Sequence, residues 1–114
     1  MSRPELLYIH EMEGAISRIL EIVGNHSTET FRQDQLRLDA LLWNFTVLGE
    51  AAAKLRPSLE AIYPEIPWRR PIGLRNRIVH GYWSIDLEIL MATARKDLLP
   101  LKNQLNKIVS DLSD

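Results

Sequence analysis

The sequence predicts an all-α fold: an up-down four-helix bundle with an additional short helix. Two observations carry this reading. Three long segments place apolar residues at alternating steps of three and four, the seam of helices packed near +20°. No segment shows the period-2 alternation of a strand. With 114 residues and 46% hydrophobic content, the chain has material for one modest core, read as a single domain over 1–114.

In the first segment the seam is Ile9, Met12, Ile16, Ile19 and Val23. Ser2 and Glu5 suit a capping box at its start, and Gly24-Asn25 suits its stop. Residues 25–33 read as a loop or a short helix. The second seam is Leu38, Leu41, Phe45, Leu48, Ala52 and Leu55, with Pro57 expected to end the helix. A proline-rich connection follows, in which Ser58 to Tyr63 has room for a helical turn or two. Trp68 to Val79 reads as a shorter helix with Pro67 or Pro71 in its first turn. The last seam is Leu87, Met91, Ala94, Leu98, Leu101, Leu105, Ile108 and Leu112, capped by Ser84 or Asp86. Pro100 is expected to kink this segment or split it into two collinear pieces.

Composition excludes several functions. There is no cysteine, so neither a disulfide framework nor a thiolate metal site exists. No apolar stretch approaches the roughly 20 residues of a membrane span. No signal peptide is expected, which makes the sequons at Asn25 and Asn44 chance matches and suits a reducing cytoplasm. The five glycines form no phosphate-cradling loop, and the three histidines lack metal-ligand spacing. Neighbouring carboxylates two apart, such as Glu11 and Glu13, do not share a helix face, so a two-metal nuclease site is unsupported and no cofactor is expected.

Net charge is −1, yet residues 66–85 hold Arg69, Arg70, Arg75 and Arg77 and no acid. Such a local patch fits either a site for a phosphate-bearing ligand or a solvated arginine face. The stretch Leu74-Arg75-Asn76-Arg77-Ile78-Val79-His80-Gly81-Tyr82 crowds Arg, Asn, His and Tyr at the end of the short helix, where Gly81 is placed to stop it. Asn76 and His80 share a face. Arg75 and His80 lie about 140° apart on a regular helix and converge only if it loosens or the arginine reaches round. Bland alternatives stand beside this: His80 as a helix-dipole partner, Tyr82-Trp83 as a core anchor, Arg75 paired with a carboxylate such as Glu50.

These residues resemble the HEPN superfamily, whose signature is an arginine, four to six residues, then a histidine. The extended form Arg75-x4-His80-x-Tyr82, with Asn76 after the arginine, is similar to its HepT-like branch. Further ordered matches are Tyr8-Ile9-His10-Glu11-Met12, Leu48-Gly49-Glu50-Ala51-Ala52, Tyr63-Pro64-Glu65-Ile66-Pro67-Trp68 and Ile85-Asp86-Leu87-Glu88. The chain departs from the pattern at Trp43, Thr46, Pro71 and Gly81.

The resemblance implies a metal-independent endoribonuclease, the toxin of a toxin–antitoxin pair. Arg75 and His80 would be catalytic, Asn76 supporting, and Arg69, Arg70 and Arg77 substrate-binding. It implies an RNA substrate (tRNA or mRNA) and a homodimer whose two motifs face each other. It also implies an MntA-like nucleotidyltransferase antitoxin that adenylylates Tyr82. The alternative is a non-catalytic HEPN module that binds nucleotide or protein and partners the nucleotidyltransferase.

Overall fold

The computed structural model describes residues 3–81 and 86–112. Among them are six helices and no strand: α1 (Arg3–Val23), α2 (Thr28–Gln33), α3 (Gln35–Leu59), α4 (Arg69–Gly81), α5 (Leu87–Lys96) and α6 (Leu98–Leu112). The long components are α1, α3, α4 and the α5–α6 segment; α2 is the short addition. No helix among the described residues is long and apolar enough to cross a membrane.

Each seam faces inward. All five apolar positions of the first segment are buried along α1. Gly24 stops the helix in the left-handed region at φ 44° and donates its N–H to the Leu20 carbonyl at 2.9 Å. The proposed Ser2 cap lies outside the described residues. Residues 25–33, open between loop and helix, include the six-residue α2. Ser27 caps it, its hydroxyl accepting the Thr30 N–H at 3.3 Å, and Phe31 anchors it in the core. Asp34 then caps α3 by accepting the Arg37 N–H at 3.1 Å.

Pro57 does not end α3, which continues to Leu59 with the proline inside it. The ring lies on the exposed side of the final turn, and the bond lost is the one to the Ala53 carbonyl. Burial of Leu55 and Leu59 on the opposite side holds that turn in place. The last segment does split, but at Asp97 rather than Pro100. Pro100 is the third residue of α6, where a backbone N–H has no helical acceptor to lose. Asp86 caps α5, its carboxylate accepting the Glu88 N–H at 2.9 Å; the alternative cap, Ser84, lies outside the described residues.

Between α3 and α4 the chain turns tightly around Trp68. This indole is buried, and its Nε1–H donates to the Tyr63 carbonyl at 3.0 Å, so the ring's polar atom is satisfied inside the core. Helix α3 packs along both α1 and α4, while α1 also carries α5 and α6.

Helices α3 and α4 approach closely, and Gly49 makes this possible. A Cβ at Gly49 would fall 2.3 Å from the Arg75 Cβ and 2.5 Å from the Pro71 carbonyl oxygen. Neither atom is the free end of a side chain, so α4 itself would have to move. Gly49→Ala is therefore expected to destabilise the protein by about 1–3 kcal/mol, despite alanine's better helix propensity. Urea denaturation measures this, and an unchanged or raised midpoint would contradict the close contact.

Candidate functional site

Helix α4 has two chemically different faces. Pro71, Leu74 and Ile78 turn inward against the bundle. The α3-facing side also takes Arg75. Its Cβ and Cγ lie against Gly49, and its guanidinium Nη1 donates to the Glu50 carboxylate. The Arg75 side chain is only 19% exposed, whereas Glu50 is 52% exposed. Two consecutive α3 residues thus hold the root and the head of one arginine. The Arg75 Nε is buried and has no hydrogen-bond partner.

The outer face carries the rest. Asn76, Arg77, His80 and Gly81 line one open recess at the C-terminal end of α4. Arg69, Arg70, Gly73, Leu74 and Arg77, with Ile89 from α5, line a second recess. Arg77 belongs to both, so the two recesses adjoin at that side chain.

The arginines of the sequence patch differ in their surroundings. The Arg69 Nε donates to Glu60 at 3.1 Å, and Arg56 reaches the same carboxylate at 3.3 Å. Hydrogen bonding from Arg69 holds the Glu60 carboxyl below its ordinary range, aided by Arg56 and opposed by partial desolvation. The same carboxylate holds the Arg69 guanidinium above its ordinary value. The Arg70 Nε lies 3.6 Å from Asp97, at the α5–α6 break. Arg77 makes no ion pair with any described residue.

The structure therefore brings Asn76, Arg77 and His80 together and leaves Arg75 apart. Helix α4 is regular through Gly81, so the rotation of about 140° between Arg75 and His80 is not relieved. The loosening that would let them converge within one chain is absent. The pairing of Arg75 with Glu50, one of the bland alternatives, is present. Tyr82, with its neighbour Trp83, lies outside the described residues.

Residues 12–108 match the family model described as Ribonuclease HepT-like. The chain belongs to the HepT-like ribonuclease family. It is similar, at 28% identity over 108 residues, to a Thermococcus cleftensis protein named probable ribonuclease HepT; the match covers 95% of this chain and 98% of that one. A Caldanaerobacter subterraneus protein provisionally named an RNase is also 28% identical, with 94% of this chain and 93% of the relative covered. A provisionally named RNase of Methanocaldococcus jannaschii is 23% identical over 94% of this chain and 92% of its own. No solved structure matches significantly.

For this HepT-like chain the sequence reading missed three roles. Gly49 was visible only as part of a motif, although the small-residue run Gly49, Ala51, Ala52, Ala53 inside an apolar helix signals close helix approach. Glu60 and Asp97 gave no signal as counterions, because they come from other elements of the fold.

The lowered Glu60 value has a definite sign. A carboxyl depressed in the folded state contributes stability above its ordinary value of 4.5, and that contribution is lost as pH falls through the depressed value. Because the group is solvent-exposed, the effect is small. Glu60→Gln should flatten the acid-side fall of Tm by at most a few degrees between neutral pH and about pH 3, as read by calorimetry. An acid limb identical to the parent's would remove Glu60 from the acid response.

Proposed function

We propose that this HepT-like ribonuclease cleaves RNA without a metal ion, as the toxin of a toxin–antitoxin pair. The observation that carries the reading is the open recess in which Asn76 and His80 stand beside Arg77, a cation with no counterion among the described residues.

The chemistry follows from these groups. The ribose 2′-oxygen attacks the adjacent phosphorus, and the bond to the 5′-oxygen breaks. The products are a 2′,3′-cyclic phosphate and a 5′-hydroxyl. One group removes the 2′ proton and another protonates the departing 5′-oxygen. An imidazole can both take up and release a proton, so His80 can act as base or acid. The guanidinium groups of Arg75 and Arg77 stabilise the crowded phosphate. Asn76 orients the imidazole or the phosphate, and Arg69 and Arg70 hold flanking phosphates. DNA lacks the nucleophile and should not be cut.

A single histidine cannot serve as both acid and base in one step. A homodimer supplies the second His80. The cellular substrate would be tRNA or mRNA in the cytoplasm. A nucleotidyltransferase antitoxin would silence the enzyme by adenylylating Tyr82, placing AMP where substrate phosphate binds.

One observation favours a second reading. Arg75 is engaged by Glu50 and does not meet His80 within the chain, as in a non-catalytic module that binds nucleotide or protein and partners the nucleotidyltransferase.

Incubation of the purified chain with labelled tRNA or mRNA in EDTA separates the two. Cleavage that His80→Ala lowers by about 10²–10⁴-fold is the expected result. Tight nucleotide binding without cleavage would sustain the module reading instead. Separately, Tyr82→Phe should leave cleavage largely intact while abolishing AMP incorporation by the nucleotidyltransferase, measured with radiolabelled ATP. Continued labelling of the phenylalanine variant would place the modification elsewhere.

A further inference from the structure

Gly73 has no reason to be glycine that lies within the fold. A Cβ built there meets nothing within 4 Å, whereas one at Gly49 would collide with α4 and Gly24 needs its positive φ. Glycine in a helix interior weakens that helix relative to alanine, so the position carries a cost that packing does not explain. It lies on the outer face of α4, one turn from Arg70 and one turn from Arg77, and all three line the same recess. Arg77 also lines the neighbouring recess of Asn76 and His80.

We propose that Gly73 is the point of closest approach for the sugar–phosphate backbone of single-stranded RNA. In this arrangement the strand runs along α4 from His80 toward Arg70. The inference rests on the ribonuclease reading and adds a contact and a strand path to it. Arg70 and Arg77 stand about 10 Å apart along the helix axis and grip phosphates on either side of the glycine. The Arg70–Asp97 pair is solvent-exposed and weak, so phosphate can replace the carboxylate. Without a Cβ, the ribose lies directly on the helix backbone. A single strand fits because the path ends at His80, and because in-line attack needs a backbone released from regular stacking.

The test uses the full chain carrying His80→Ala, which binds without cutting, and a short fluorescein-labelled single-stranded RNA followed by anisotropy. Adding Gly73→Ala should raise Tm by about 3–6 °C, since the helix gains propensity and nothing clashes. The same change should weaken RNA binding by about threefold to tenfold without altering the salt dependence, because no phosphate contact is lost. Arg77→Gln in the same background should weaken binding and reduce the salt slope by about one. Stability and affinity moving in opposite directions at Gly73 is the result that supports the proposal. If Arg77→Gln weakens binding and Gly73→Ala does not, the closest-approach site is wrong while the ribonuclease reading stands. If neither affects binding, the RNA track on α4 fails altogether. A drop in dimer mass caused by Gly73→Ala, seen by light scattering, would assign the glycine to a protein interface and overturn the proposal.

Discussion

The contact between Gly49 and Arg75 fixes the geometry on which everything else depends. With only hydrogen at Gly49, α4 can lie closer to α3 than ordinary side chains permit. The same contact sets the rotation of α4 about its own axis. Once Arg75 is trapped against α3, the remaining positions follow from helix geometry: Leu74 and Ile78 turn to the core, and Arg70, Gly73, Arg77 and His80 turn outward. Glu50, one residue further on, takes the other end of the trapped side chain. The position of the motif arginine is therefore decided by its neighbour helix more than by its own.

This confinement has an electrostatic consequence. An arginine side chain that is four-fifths buried is costly unless its charge is paired, and the more exposed Glu50 supplies the countercharge. The buried, unpartnered Nε leaves one N–H unsatisfied, a penalty on the order of 1–3 kcal/mol. Packing tolerates that penalty because moving Arg75 outward would also open the Gly49 contact. The arginine is packed and paired where it stands, in contrast to the solvent-facing arginines on the other side of α4.

Charge on α4 is edited by the rest of the fold. In the linear sequence, four arginines and no acid form an apparently uniform patch. In three dimensions Glu50, Glu60 and Asp97 arrive from elsewhere in the chain and partner three of the four. The exposed pairs at Arg69 and Arg70 contribute little to stability, but all three lower the local potential. What remains is a narrow positive point at Arg77 next to His80 and Asn76, which focuses attraction for an anion at one end of the helix.

The sequence by itself determined the helices, their inward faces and the location of the chemically loaded segment. Hydrophobic periodicity is a local property, and every seam position from Ile9 to Leu112 is buried or partly buried as the spacing requires. Boundaries were less legible at Pro57 and Pro100, because a proline's effect depends on whether its missing N–H had an acceptor and whether burial holds the turn. Tertiary structure alone decided which residues of the Arg75–His80 stretch meet. Asn76, Arg77 and His80 were joined by a shared recess, whereas Arg75 was claimed by α3 through a glycine and a carboxylate some 25 residues away in sequence. Countercharge and close approach are long-range in the chain and short-range in space, and for that reason no spacing rule within α4 could reveal them.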